Sequence, residues 1–573
     1  MPRLPIPGSS RWAFAVATGL PLLALLLFFA WPVGAMLARG LGSGALAVLA
    51  EERSWRLVGT TLWLALAGTA GSVLLGLPGA WILHVCRFPG QRLLRAVATI
   101  PFVLPTVVVG IAFRFLLGHG GPYAGLGLDG TPAAIIAAMV FFNFSVIVRT
   151  VGTMWASLDP RMAEAAQMLG AGPVRVFLTV TLPALRGAIA SGASLVFLFC
   201  ASAYGLVMTL GGLSTLESEI WTQSNLLDFD AAAGLSLLQF LIVILALGLS
   251  SVAARGTPQR LRRATPRPLR RRDLPALLLT LGVVLGLIIA PLLSLLLRSF
   301  RQGEQWTLDN YRLLASTGKG FSGGSTVLEA LQNSLATALQ ASVLALAIGV
   351  PLALALSRPW RHPHTRRLQS LIETLAMAPL GVSAVTLGFG FLIALQAPPL
   401  RMGSELVPIA QAMVAMPMVL RALLPILRAI NPRLRDAAAL LGASPARILC
   451  TIDLPMAWRG LRLAIGFAFA MSLGEFGAAS FLATGDDITL PVLIARLLGR
   501  PGAHNYGMAM AASVILGAVT ATIMALCENQ PETSRPAGTV TTPTARASRS
   551  LDAPRTNRPM TRANPDAGAT DAA

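Results

Sequence analysis

The chain has one lysine, Lys319, among 573 residues, only four cysteines and five histidines, and just 12% charged residues. Ordinary soluble domains carry about 25% charge, so this composition excludes a soluble globular protein. The single lysine also excludes a nucleotide-binding P-loop, which needs Gly-x-x-x-x-Gly-Lys-Ser/Thr. Gly318 precedes Lys319, but Leu313 and Gly320 stand where glycine and serine or threonine are required. Cys86, Cys200, Cys450 and Cys527 show neither paired nor metal-ligand spacing, and read as small hydrophobes. His84, His119, His362, His364 and His504 join no metal cluster and no nucleophile–base pattern, which argues against a membrane enzyme.

What is present is apolar length. Hydrophobic residues make up 54% of the chain, and runs of about 20 recur, enough to cross a hydrocarbon layer as a helix. Backbone polar groups in lipid must be satisfied within the segment, so the expected fold is an all-α integral membrane protein. Twelve spans are predicted, near 13–38, 57–85, 94–117, 132–148, 188–210, 231–254, 274–297, 328–357, 370–396, 405–427, 461–483 and 505–527. They divide into a first half, 1–254, and a second half, 274–527. Residues 255–273 between them hold eight arginines and three prolines and read as a solvated basic linker. The tail, 528–573, is rich in Pro, Thr, Ala and Arg and is expected to be disordered.

The net charge of +20 is nearly all arginine. Arg87, Arg92 and Arg95, Arg149, Arg161, Arg175 and Arg186, the linker, Arg358, Arg361, Arg366 and Arg367, and Arg428, Arg433, Arg435 and Arg447 fall in alternate loops. That pattern orients a membrane protein, with both termini cytoplasmic, rather than binding nucleic acid. The intervening loops are poorer in arginine or carry acids, such as Glu217, Glu219, Asp228 and Asp230. The loop after the seventh span departs from the trend.

The halves are internal repeats. The segment from Thr61 matches the one from Ser334, so that Gly76 and Pro78 fall on Gly349 and Pro351. Tyr204-Gly205 likewise falls on Phe476-Gly477. Parallel repeats of six spans imply a pseudo-two-fold axis along the membrane normal, with a solute pathway between the halves. A second correspondence lies in polar loops. Residues 164–183 read EAAQMLGAGPVRVFLTVTLP and residues 436–455 read DAAALLGASPARILCTIDLP. Glu164, Ala165 and Ala166, or Asp436, Ala437 and Ala438, suit the start of a short helix, the acid complementing its dipole. Gly170 or Gly442 ends or bends that helix. Leu182-Pro183 or Leu454-Pro455 then marks the turn into the next span. A matched pair of such helices suits insertion into grooves of a partner. A gradient-driven twelve-span carrier is the competing reading, but it has no use for two docking helices.

These loops resemble the EAA motif of binding-protein-dependent ABC importer permeases. Over roughly residues 50–527 the chain resembles the fused subgroup, in which two six-span domains share one polypeptide with a type I ABC importer permease fold. Asp436 replaces the usual Glu and Val180 the usual Ile. The resemblance implies a bacterial inner-membrane subunit that binds no cofactor itself, with ATP and Mg on the partner. It implies two copies of a cytoplasmic ABC ATPase docking on the two loops, and an extracytoplasmic binding protein that delivers the solute. The stretches from Phe197 and Phe467 resemble permeases for thiamine or for ferric iron, and both solutes stay open.

Polar residues at membrane depth are costly and mark pathways. Arg114, Asn143, Tyr204 and Glu475 are the candidates, together with Phe476, the counterpart of Tyr204 in the second half. Glu475 either meets a passing cation or makes a structural hydrogen bond to a neighbouring helix. Arg114 either faces the pathway or snorkels toward the headgroups.

Overall fold

The computed structural model describes residues 18–253, 266–302, 305–319, 324–358, 363–395, 403–483, 485 and 487–528. The start of the first span, most of the linker and all but one residue of the tail lie outside that set. The described chain is almost wholly helical; its only strands are two pairs of two-residue segments.

Among the described residues nine helices are long and apolar enough to span a membrane, from Thr18–Gly40 to Ala503–Cys527. Two further spans are broken: Gln91–Phe102 meets Thr106–Leu117 at 106°, and Thr365–Leu380 meets Ala384–Leu395 at 98°. Each predicted single span is therefore two helices joined by an elbow. Prolines explain the break, because Pro101 and Pro105 in one half and Pro379 in the other cannot continue a helix without loss of a hydrogen bond. The eleventh predicted span, 461–483, falls on Leu454–Leu473, which carries Arg459 and Arg462 in its first turns and is not among the helices long and apolar enough to span. The fifth and eleventh spans also end early, at Ala201 and Leu473, before irregular turns.

The repeat has a physical basis. Glu52–His84 packs along Pro132–Trp155, and Val327–Leu356 along Leu406–Ala429. A Cβ added at Gly76 would lie 2.6 Å from Ile147 Cγ2, and one at Gly349 would lie 2.8 Å from Val419 Cγ1. Only glycine admits backbones that close. The hydroxyl of Thr61 accepts from the Leu216 N–H at 3.0 Å, and that of Ser334 accepts from the Leu490 N–H at 2.7 Å. Matched side chains thus hold the starts of matched helices, Leu216–Asn225 and Leu490–Leu498.

The halves are interlocked rather than side by side. Leu25, Phe29 and Met36 of the first helix are buried in one core with Phe389 and Phe391 of the second half. Val283, Val284 and Ile288 of the seventh helix are buried in the core of the first half. Each half's opening helix therefore packs on the other half. The linker differs from expectation at its end: Arg267-Pro268 pairs in parallel with Cys86-Arg87. Arg267 also bonds the Asp273 carboxylate at 2.8 Å and lies 4.9 Å from the Trp81 ring centroid. This anchor starts the seventh helix against the first half.

Candidate translocation chamber and docking helices

The two repeated loops fold alike. In the first, a helix spans Pro160–Met168, capped where Asp159 accepts from the Arg161 N–H at 3.1 Å. In the second, Pro432–Leu440 is capped where Asn431 accepts from the Arg433 N–H, also at 3.1 Å. The helix begins four residues ahead of Glu164 and Asp436, so the acids lie mid-helix and do not complement its N-terminus. The cap residues and the proline after each do that work.

Gly170 and Gly442 adopt φ of 82° and 81°. The Ala171 N–H bonds the Ala166 carbonyl at 3.1 Å, and the Ala443 N–H bonds the Ala438 carbonyl at 3.0 Å. This left-handed cap satisfies the last carbonyls of each helix and turns the chain back. Leu182-Pro183 and Leu454-Pro455 do not mark a turn. Each sits in a continuous helical run, directly after a wide π turn at Phe177–Thr181 or Leu449–Asp453. The widened turn accommodates the missing proline N–H without breaking the helix.

Glu164, Ala165, Asp436 and Ala437 are exposed, and Ala166 and Ala438 half-buried. Beside them two apolar pairs face outward: Met168 and Leu169, each 88% exposed, and Leu440 and Leu441, 83% and 89% exposed. The two exposed apolar pairs stand at equivalent positions of the two repeats.

The loops differ in support. Asp453, fully buried, accepts from Arg435 at 2.6 Å and from Arg358 at 2.7 Å. Thr181 holds the equivalent place in the first loop. There a cavity of about 1040 Å³ runs between Glu164, Gln167 and the linker arginines Arg267, Arg270 and Arg272.

A second cavity, about 220 Å³, lies between the halves at the broken helices. Asn143, Tyr204, Glu475 and Phe476 line it; Arg114 does not, and reaches the Thr209 carbonyl at 3.4 Å. The rings of Tyr204 and Phe476 stack across the interface at 5.2 Å and 6°. Residues from equivalent positions of the two repeats thus meet near the axis. Asn143 donates to the Met139 carbonyl at 2.9 Å. The Glu475 carboxylate accepts from the Ala478 N–H at 2.7 Å and the Ala479 N–H at 3.0 Å. Its partners are local amides freed by the break after Leu473, not a neighbouring helix. Such irregular backbone is tolerated at membrane depth only where protein satisfies it or a cavity lies beside it.

The chamber holds a second carboxylate that sequence reasoning placed in an outer loop. Glu217 is 1% exposed and lines the same wall. The available signal was Leu216-Glu217 aligning with Leu490-Pro491, the helix starts that Thr61 and Ser334 hold. Among the described lining residues no arginine, lysine or histidine appears.

Phe102 and Phe467, from opposite halves, close the chamber on one side with ring centroids 5.8 Å apart and planes perpendicular. Beyond them a smaller cavity of about 130 Å³ is lined by Arg149 and Arg421, again equivalent positions. The Arg149 guanidinium stands 5.4 Å from the Phe467 ring centroid. Acidic chamber, aromatic seal and basic vestibule therefore follow in sequence.

Comparison with known proteins agrees with this architecture. The thiamine transport system permease protein ThiP of Brucella suis biovar 1 is 28% identical over 522 residues, covering 86% of this chain and 92% of ThiP. ThiP of Escherichia coli K12 is 27% identical over 504 residues, covering 84% and 88%. PhnU of Salmonella typhimurium, named for 2-aminoethylphosphonate transport, is 30% identical over 258 residues; these cover 88% of PhnU but 41% of this chain. The family model for the inner membrane component of binding-protein-dependent transport systems matches twice, at residues 72–302 and 347–527. With that model on both halves, the chain belongs to this family: it is a multi-pass inner-membrane transport subunit of the ABC importer permease class.

Proposed function

We propose that this chain is the permease of an ATP-driven thiamine importer, with both termini in the cytoplasm. Two copies of an ABC ATPase, holding ATP and Mg, dock on Pro160–Met168 and Pro432–Leu440. An extracytoplasmic binding protein delivers thiamine to the chamber between the halves. The observation that carries the docking assignment is the pair of equivalent αL-capped helices presenting Met168-Leu169 and Leu440-Leu441. ATPase closure pushes both knobs, and the cores they join move as rigid units because packed interiors are bistable rather than continuously deformable.

Two observations support thiamine over ferric iron. ThiP of Brucella suis and ThiP of Escherichia coli, which match along most of both chains, are named for thiamine. The chamber is aromatic, with two carboxylates and no cationic side chain among its described lining residues, which suits an organic heteroaromatic cation. The test is uptake of labelled thiamine and, separately, of ferric iron by proteoliposomes carrying permease, ATPase and binding protein. ATP-dependent thiamine uptake is expected; uptake of iron alone would overturn the substrate assignment.

A further inference from the structure

Glu217 and Glu475 share one chamber but are differently satisfied. Both Glu475 oxygens accept backbone N–H groups. Glu217 Oε1 takes the side-chain amide of Gln239 at a long 3.4 Å, and that same nitrogen donates to the Ala201 carbonyl at 3.0 Å; the Ser383 side chain and the Tyr204 backbone N–H also face its carboxylate, but no cation among the described residues does. Glu217 Oε2 and the Tyr204 hydroxyl, both fully enclosed, make no well-formed hydrogen bond among the described residues, although the Ser480 side chain faces the hydroxyl. Two residues further on, Glu219 pairs with Arg53 at 2.8 Å and with Gln223 at 2.7 Å. The helix start alone therefore does not dictate an unpaired acid. A buried carboxylate without a cation is costly, and such a group persists where function requires it.

We propose that Glu217, with the Tyr204 hydroxyl beside it, is the charge-recognising element of the chamber and takes the positive centre of a planar heteroaromatic cation. The rings of Tyr204 and Phe476 supply the aromatic surface, and Glu475 is a positioning residue that holds the turn carrying Phe476. Pro491 occupies the place of Glu217 in the second half, so the acid breaks the pseudo-symmetry. A solute with one charged end then binds in one orientation. This rests on the reading of the chain as a thiamine permease, and specifies which residue reads the charge.

The experiment uses the complete transporter in proteoliposomes, with labelled thiamine as probe and varied concentrations of loaded binding protein. Glu217→Gln is expected to lower thiamine uptake at least tenfold, and Glu217→Asp to restore a substantial part. Binding of thiamine to the purified complex, followed by quenching of Trp221, whose ring lies 6.4 Å from that of Tyr204, is expected to weaken in the Gln variant. This second measurement, made only on variants that elute as intact complex, separates recognition from misfolding. Wild-type uptake and quenching in Glu217→Gln would overturn the proposal. If the wild type carries 2-aminoethylphosphonate or ferric iron instead of thiamine, the substrate reading fails on its own. The heteroaromatic part of the proposal then falls with it, and Glu217 as the reader of positive charge stands only if Glu217→Gln lowers uptake of the solute carried at least tenfold.

Discussion

Replacing Gly170 and Gly442 together tests whether the docking helices transmit force. Both residues hold φ near +80°, and a Cβ added at either would meet nothing within 4 Å. Substitution therefore introduces backbone strain without a clash, so assembly of the helical core survives. An L-residue in the left-handed region costs roughly 1–2 kcal/mol, which disfavours the capped geometry about 5- to 30-fold at each site. Losing the cap frees the hydrogen bonds at Ala171 and Ala443 and lets Met168-Leu169 and Leu440-Leu441 swing from their places. Gly170→Val with Gly442→Val should cut thiamine transported per ATP hydrolysed at least tenfold in proteoliposomes. Gly170→Asn with Gly442→Asn should lose much less, because asparagine tolerates positive φ. Equal coupling ratios in the wild type and the valine variant would refute the reasoning.

Three further outcomes follow from the packing. Asp453→Ala strands Arg435 without its buried partner, a loss of about 3 kcal/mol by analogy with broken buried pairs. Hydrogen exchange should then accelerate in 432–440 and stay unchanged in 160–168; equal acceleration in both would contradict the asymmetry. Phe102→Ala with Phe467→Ala removes the seal below the chamber and should allow thiamine to leak from loaded vesicles without ATP, whereas tight vesicles would show the seal lies elsewhere. Gly76→Val and Gly349→Val force side chains into Ile147 and Val419, and each should destabilise by about 1–3 kcal/mol, read as a lower unfolding temperature in detergent. No change would mean the helix pairs are looser than described.

The sequence made the helical class, the duplication and the capped helices of the repeated loops legible because each rests on local chemistry: apolar length, a glycine at a cap, and arginines beside spans. It was less informative where tertiary context decided the outcome. Gln91–Leu117 and Thr365–Leu395 have span-like hydropathy, and their elbows came from prolines whose effect on direction is not written in composition. Glu217 read as a loop acid because its helix is short and polar, yet Thr61 draws that helix inward. Glu475 stood out as a charge in an apolar run, but its amide partners existed only once the helix broke. Arg267 belonged to a linker by composition and became an anchor through Trp81, 186 residues earlier. The swap of the two opening helices left no local mark at all.

The most direct measurement of the account is cross-linking to the ATPase. In a chain with Cys86, Cys200, Cys450 and Cys527 replaced, a single cysteine at Met168 or at Leu440 should join the ATPase subunit in membranes, and the two together should capture two ATPase copies per permease. Failure of both positions to reach the ATPase, or their labelling by a membrane-impermeant reagent from the outer face, would contradict it.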